Sequence, residues 1–256
     1  MPDQRLQSGV FITGTDTHVG KTVATAALGM ALQQTGEAIG IMKPVETGVA
    51  PNEPASDGSC LKKLFSAYRN VEVRGLYVFP PPVAPLEAAR TSQQLIDVEA
   101  ILDACGTFAV DRDYLLIEGA GGLLVPLTQT QDVRDLIKLL GLPCLIVSRT
   151  GLGSVNHTRL TVMGLRQAGI PILGILLNHT DTTREEQQSS TVKLIRELSD
   201  VPVLGPLPFE PCLRANTHSL RSGQAPVRPD QWEDGIIKLA NHPAIREVAR
   251  MVQESA

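Results

Sequence analysis

The chain has 256 residues, of which 43% are hydrophobic and 20% are charged, and its formal net charge is -4. This length and balance are typical of one large α/β domain with a substantial core, so we expect residues 1–256 to form a single domain. The acidic balance and the absence of a basic block argue against a nucleic-acid partner, and no apolar run is long enough for a membrane span.

Strand-like and helix-like segments alternate along the chain. The predicted strands are 10–14, 38–43, 76–79, 114–119, 143–148, 171–178 and 202–208. The predicted helices are 21–34, 97–109, 132–140, 154–167, 185–199 and 232–253. Because most of these strands are continuous apolar runs, the pattern predicts a doubly wound, mostly parallel sheet flanked by helices. Ligands of such sheets bind beyond the carboxyl ends of the strands.

Two segments interrupt this alternation. Residues 44–60 are rich in Pro, Gly, Ser and Asp and are predicted to form a long functional loop. Residues 209–231 are predicted to be an irregular segment before a C-terminal helix.

The first predicted strand leads into a phosphate-binding loop. The apolar run 10–12 reaches Gly14, and a Gly-Lys-Thr triplet then opens a helix, where backbone N–H groups and the helix dipole favour an anion. Lys21 adds a charge aimed at terminal phosphates, and the Thr22 hydroxyl can reach Mg2+. The usual spacing G-x-x-x-x-G-K-[ST] fails by one residue, because Thr15 stands where the first glycine belongs. The strand before and the helix after nevertheless favour phosphate binding over a plain glycine turn.

Polar residues also follow the second strand. Lys43 ends that strand, where it can be a surface lysine or a second cation that neutralises a transferring phosphoryl group. We expect such a lysine to contribute little to the core. Thr47 offers a hydroxyl in the same loop, and Glu46 is expected to be solvated. Asp57 is one acid among several nearby.

The later strands end in candidate ligand groups as well. Glu118 has the position of a Walker-B carboxylate, which holds Mg2+, and the glycines after it let a ligand approach the backbone. The glycine-rich turn 149–153 opens a helix and can bind an anion, or Ser154 can simply cap that helix. Asn178 can read a base edge by donating and accepting at once, or can be a satisfied turn residue.

The spacing of the cysteines and the absence of a serine nucleophile motif narrow the classes of reaction that the chain can catalyse. Cys60, Cys105, Cys144 and Cys212 form no C-x-x-C pair, which argues for reduced thiols rather than zinc or disulfides. The first residues, MPDQRLQSG, lack the apolar stretch of a secretory signal, so we expect a cytoplasmic protein. No serine stands in a nucleophile elbow, and the remaining groups are typical of phosphoryl transfer.

Four sequence blocks are similar to those of the dethiobiotin synthetases of biotin biosynthesis. The blocks are GTDTHVGKT (14–22), KPVETG (43–48), EGAGGLLVPL (118–127) and GLGSVNHT (151–158), with LLNHT (176–180) in addition. The resemblance covers roughly residues 8–210, and that family's own phosphate loop has the longer form found here. It implies that ATP and CO2 convert 7,8-diaminononanoate to dethiobiotin through a carbamate and a carbamic-phosphoric anhydride, with Mg2+ required and ADP and phosphate released.

The resemblance also implies residue roles. Lys21 and Lys43 would be catalytic, and Thr22, Asp57 and Glu118 would hold Mg2+. The ATP-binding residues would be His18, Val19, Gly20, Lys21, Thr22, Val23, Asp57, Glu118, Gly119, Ala120, Gly121, Asn178, His179, Pro208, Phe209 and Glu210. The substrate-binding residues would be Thr17, Thr47, Gly151, Leu152 and Asn156.

The same resemblance implies a homodimer with the site near the interface, in which the partner subunit's 151–157 segment meets the substrate carboxylate. The chain departs from the family at position 18, where a histidine replaces the acid often found, and over 209–256, which match poorly.

Other P-loop classes are the alternatives. Partitioning ATPases carry a signature lysine four residues before the last P-loop glycine, where this chain has Asp16. A cobyrinate-type amidoligase needs a glutaminase domain, for which the chain after residue 210 has no room. A binding module that keeps the fold without the chemistry is the third alternative.

Overall fold

The computed structural model describes residues 8–50, 56–181, 185–213 and 229–255. Its strands are β1 (Gly9–Gly14), β2 (Ile39–Thr47), β3 (Val71–Phe79), β4 (Tyr114–Gly122), β5 (Cys144–Arg149), β6 (Ile172–Asn178) and β7 (Val203–Leu207). Its helices are α1 (Lys21–Gln33), α2 (Asp57–Phe65), α3 (Pro85–Thr91), α4 (Val98–Ala109), α5 (Val133–Leu140), α6 (Ser154–Gln167), α7 (Glu185–Leu198), α8 (Pro229–Ala240) and α9 (Pro243–Glu254).

The strands form one seven-stranded sheet in the order β3-β2-β4-β1-β5-β6-β7. All six pairings between these strands are parallel. Parallel strands need crossover connections, which the intervening helices supply. The predicted doubly wound sheet is therefore confirmed.

Apolar side chains cover both faces of the sheet. Val10 and Ile12 of β1 pack with helices α1, α2, α8 and α9 on one face. Phe11 packs on the other face with helices α3 to α7. Successive strand side chains point to opposite faces, so a strand that is buried on both sides reads as a continuous apolar run.

The register brings the carboxyl ends of β1, β2 and β4 together. Ile12 of β1 lies beside Glu118 of β4, and Met42 of β2 lies beside Ile117 of the same strand. The loop after β1, Lys43 and Glu118 therefore meet at one edge of the sheet, where ligands of such folds bind.

The loop predicted over 44–60 is wrong at both ends. β2 continues to Thr47 and keeps its pairing with β3, but its pairing with β4 ends at Met42. The missing N–H of Pro44 is therefore tolerated, because one side of the strand is already an edge at that point. α2 then begins at Asp57, and neither it nor α3 was predicted.

The prediction of a single helix over 232–253 is also wrong. The structure has two helices there, α8 and α9, because Pro243 lacks an N–H and starts a new helix. The His242 side chain caps that helix by accepting from the Ala244 N–H at 3.2 Å. Most of the segment predicted to be irregular, residues 214–228, lies outside the described residues.

Two further expectations concern the cysteines and membrane spans. Cys60, Cys105 and Cys144 are buried, and none of the chain's cysteines, all of which are described, is in a disulfide. Within the described ranges, no helix has the length and apolar character needed to cross a membrane.

Candidate active site

The loop between β1 and α1 curls around a lysine head group. Lys21 Nζ donates to the Asp16 carbonyl at 3.1 Å, and the Thr15 N–H donates to the Val147 carbonyl of β5 at 3.0 Å. These bonds hold the loop against the sheet, with the first turn of α1 behind it. The loop thereby presents its backbone to the crevice in the manner of a phosphate cradle.

The end of β6 also supports this loop. Asn178 Nδ2 donates to the Val19 carbonyl at 3.0 Å. Gly20, which caps α1, has φ 98°, and a Cβ at this position would lie 2.2 Å from Asn178 Nδ2. Only glycine combines that backbone conformation with so close an approach.

Lys43 is buried between two carboxylates. Its Nζ lies 2.5 Å from Glu118 Oε1 and 2.8 Å from Asp57 Oδ2. Thr22 Oγ1 also donates to Glu118 Oε1, at 2.8 Å. Lys43 is 5% exposed and Glu118 is fully buried. The alternative of a surface lysine is therefore wrong, whereas the small contribution of Lys43 to the core stays a prediction.

The two lysines differ in their electrostatic surroundings. Burial and repulsion from Lys43 lower the pKa of Lys21 to about 8, although Glu118 and Asp57 oppose this change. Burial also disfavours the charge on Lys43, but Asp57 and Glu118 outweigh it and raise the pKa of Lys43. Burial works against ionisation of Asp57, yet Lys43 holds the pKa of this carboxyl below its usual value. The charge of Lys43 is thus compensated by its carboxylate neighbours, whereas the pKa of Lys21 falls to about 8.

Glu46 is not solvated, contrary to the prediction. It is 7% exposed, and its carboxylate accepts from the Asp57 N–H at 2.6 Å and the Gly58 N–H at 3.2 Å. Burial raises the pKa of Glu46, and the Lys43 charge offsets part of that effect. Glu46 therefore serves as a cap for the start of α2.

Ser154 does not cap α6, contrary to one of the two interpretations of the turn 149–153. Gly153 takes the N-cap position with φ 88°, and Ser154 is the first residue of the helix. The Ser154 hydroxyl is buried and has no hydrogen-bond partner among the described residues. The capping interpretation of this serine is therefore wrong.

Most of the predicted site residues line one crevice of about 810 Å³. They are Thr17, His18, Gly20, Lys21, Thr22, Val23, Lys43, Thr47, Asp57, Glu118, Gly119, Ala120, Gly121, Asn178, His179, Pro208, Phe209 and Glu210. Val19 lies buried beneath them. Gly151, Leu152 and Asn156 do not line this crevice, and Leu152 is 76% exposed.

Sequence reasoning missed one wall of the crevice. Residues 82–85, which follow β3 and lead into α3, line it. The available signal was the proline-rich run after β3, because loops at the carboxyl ends of parallel strands face the ligand.

Three oxygen-bearing side chains are suited to a magnesium ion. Thr22, Asp57 and Glu118 converge around Lys43, and Glu118 Oε2 is buried without a hydrogen-bond partner among the described residues. The described residues contain no group of three or more His, Cys, Asp or Glu side chains that could hold a metal. Such a donor set suits Mg2+, which takes few carboxylates and completes its shell with water and phosphate.

The fold and this site define a P-loop nucleotide-binding protein. A family profile described as an AAA domain matches residues 8–217. The MinD cell-division ATPase of Pyrococcus furiosus superposes with a TM-score of 0.56 at 18% identity, covering 97% of this chain and all of that one. MinD of Pyrococcus horikoshii, solved with Mg-ADP, gives a TM-score of 0.54 at 19% identity and covers 91% and 94%. These likenesses show the shared fold.

The relatives found by sequence identify the family more narrowly than the shared fold does. The ATP-dependent dethiobiotin synthetase BioD of Anaeromyxobacter dehalogenans is 40% identical over 84% of this chain and 96% of its own length. The enzyme of the same name from Bacillus subtilis is 36% identical over 78% and 87%. This chain belongs to the dethiobiotin synthetase family, which confirms the resemblance.

The low pKa of Lys21 predicts a pH dependence of nucleotide binding. As the pH rises past about 8, the free protein loses the Lys21 charge, so the Kd for a non-hydrolysable ATP analogue should rise toward about tenfold per pH unit. Titration calorimetry from pH 7 to 9.5 measures this. Lys21→Arg, which stays charged over the range, should give a flat profile, and Lys63→Met, on exposed α2 surface, should keep the wild-type slope. A flat wild-type profile would contradict the prediction.

The buried Lys43 predicts a linked loss of activity and stability. Lys43→Met should abolish turnover and lower the free energy of unfolding by about 3 kcal/mol, because Glu118 loses its buried partner. Adding Glu118→Gln should recover much of the stability and none of the activity. Denaturant unfolding and ADP release measure the two effects. Wild-type stability in Lys43→Met would refute the buried ion pair.

Proposed function

We propose that this chain closes the ureido ring of dethiobiotin from 7,8-diaminononanoate and CO2 at the expense of ATP. The observation that carries the proposal is the pair Lys21 and Lys43, which line one crevice with Asp57 and Glu118, in a chain 40% identical to a dethiobiotin synthetase. Two cations beside a phosphate loop suit a reaction in which negative charge moves between phosphate and carbamate oxygens.

The chemistry proceeds in three balanced steps. One amine of the substrate adds to CO2 and loses a proton, which gives a carbamate. A carbamate oxygen then attacks the terminal phosphorus of ATP and displaces ADP. The second amine attacks the carbonyl carbon of the resulting anhydride, expels phosphate and closes the ring as a proton leaves. A carbamate is a poor electrophile until one of its oxygens becomes a phosphate leaving group.

Lys21 and Lys43 stabilise the charge that develops in these steps. Lys21 would gain a phosphate partner that its surroundings lack, and Lys43 would neutralise the carbamate end of the crevice. Thr22, Asp57 and Glu118 would hold Mg2+, which supplies further positive charge beside the phosphates when it is bound. Alignment of the reacting groups supplies the rest of the rate enhancement.

The far end of the crevice would seat the adenine. Asn178 keeps its amide fixed by the bond to the Val19 carbonyl, which leaves the Oδ1 atom as an acceptor. His179 bonds to Thr150 through Nδ1 at 2.7 Å, and Glu210 pairs with Lys238 at 2.5 Å. These contacts support a preformed pocket between β6 and the segment 208–210.

The substrate side of the site would be completed by a second copy of the chain. Asn156, Leu160 and Met163 follow the i, i+4, i+7 spacing of one helix face, and Leu160 and Met163 are 57% and 61% exposed. This apolar face beside an outward-facing Asn156 supports a homodimer in which Gly151, Leu152 and Asn156 reach the partner's crevice. The cysteine distribution supports a reducing compartment such as the cytoplasm.

The dependence of ATP turnover on the other two substrates distinguishes a synthetase from a partitioning ATPase. ADP should form only when diaminononanoate and bicarbonate are both present, because the phosphoryl acceptor is their carbamate. Coupled-enzyme assays that omit each component, or replace the diamine with duplex DNA, measure this. ATP turnover that responds to DNA and ignores the diamine would contradict the proposal.

Mixing variants tests the shared site. Co-expressed Lys43→Met and Asn156→Ala chains should regain about a quarter of wild-type activity at low diamine, because each mixed dimer has one intact site. The matched pair Lys43→Met and Lys21→Met should regain nothing, because both lysines belong to the same half of a site. Equal recovery in the two mixtures, or recovery in neither, would contradict the shared site.

A further inference from the structure

Glu46 is a buried carboxylate that the reaction described above does not use. It lies in β2, three residues after Lys43. Its neighbour Val45 packs into the apolar layer on the face opposite α2, whereas Glu46 extends to the start of α2. A carboxylate is costly to bury unless it is hydrogen-bonded, so the two hydrogen bonds of Glu46 indicate why it can be buried here.

Those bonds complete the first turn of α2. The Asp57 and Gly58 N–H groups donate to the two oxygens of Glu46, at 2.6 Å and 3.2 Å. The next N–H, of Ser59, donates to the Ser56 hydroxyl at 3.0 Å. The helix therefore has one cap from the adjacent sequence and a second cap from the sheet, and the negative charge also suits the helix dipole.

Gly58 leaves room for this contact. A Cβ at position 58 would lie 3.2 Å from Glu46 Oε2, which is tighter than ordinary van der Waals contact. A side chain there would press on the carboxylate without removing it. The helix side of the contact can therefore be perturbed separately from the sheet side.

The contact also joins the two halves of an ion pair. Asp57, whose N–H is held by Glu46, places Oδ2 2.8 Å from Lys43 Nζ. Lys43 and Glu46 belong to the same strand. The carboxylate of Asp57 is thus held to β2 twice, by its side chain and by its backbone.

We propose that Glu46 is a positioning residue, which fixes the Asp57 carboxylate beside Lys43 by tying the start of α2 to β2. The expected effect on metal binding rests on the proposed function, in which Asp57 is a ligand of the nucleotide-bound Mg2+. Glu46 lines the same crevice, but in this role it acts through the Asp57 backbone, to which its carboxylate is bonded.

Metal affinity tests the positioning. With ADP bound, Glu46→Ala should weaken Mn2+ binding, measured by electron paramagnetic resonance, by about tenfold, as is typical for residues that orient a ligand. Its affinity for ADP in EDTA should stay close to that of the wild type. Glu46→Gln, which keeps one acceptor oxygen, and Gly58→Ala should each give a smaller loss in the same direction.

Ser56→Ala is the matched control, because it removes the other cap of the same helix. It should change Mn2+ affinity much less than Glu46→Ala does. Equal losses in Ser56→Ala and Glu46→Ala would mean that general helix stability explains the effect and would overturn the proposal. Wild-type Mn2+ affinity in Glu46→Ala would overturn it as well.

Amide hydrogen exchange gives a readout that needs no metal. In the metal-free protein, Glu46→Ala, which removes both acceptor oxygens, should accelerate exchange at Asp57 and Gly58, whereas Ser56→Ala should accelerate it at Ser59. Unchanged exchange at residues 57 and 58 would refute the tie to β2. If wild-type protein with ADP binds no Mn2+, the metal assignment fails, and the exchange result still decides the role of Glu46.

Discussion

Charge compensation at one edge of a buried sheet is the constraint on which this site depends. Parallel strands carry Lys43 and Glu118 to the same edge, and α2 adds Asp57. A buried charge without a partner costs several kcal/mol, so the three groups are stable there only as a set. Lys21 stands beside this set and donates to the Asp16 carbonyl, and burial together with repulsion from Lys43 lowers its pKa.

That asymmetry prepares the crevice for a polyanion. Lys43 keeps its positive charge because its carboxylate partners stabilise it. The positive charge of Lys21 would be stabilised in the same way when a phosphate binds beside it. The amides of the loop and the dipole of α1 point to the same place. The protein thus holds its electrostatic groups before the substrates bind, and a preorganised site avoids the cost of reorienting them during the reaction. The Glu46 contact extends this preorganisation to the backbone that carries Asp57.

Local patterns in the sequence were sufficient for the fold and for most of the crevice. Continuous apolar runs predicted a parallel sheet, and residues at strand ends, such as Lys43 and Glu118, were therefore expected to converge. Predictions failed where a distant residue determines the local structure. Pro44 reads as a strand breaker, but its strand has lost only one of its two neighbours. Glu46 caps a helix eleven residues further along the chain, which no helix pattern reveals.

Other features depend on backbone conformation or on a second chain. Gly153 takes the cap position expected for Ser154, because a glycine with positive φ can end the turn there. Gly151, Leu152 and Asn156 match the family's substrate-binding segment but lie away from this chain's crevice.

The central claim is that a triphosphate binds on the loop between β1 and α1, with the ammonium groups of Lys21 and Lys43 beside its reacting end. A crystal structure with diaminononanoate, Mg2+ and a non-hydrolysable ATP analogue tests it most directly. We predict phosphates on the amides of residues 14–22 and both ammonium groups at the terminal phosphate. A loop without nucleotide at millimolar concentrations, or a nucleotide bound elsewhere on the protein, would contradict the account.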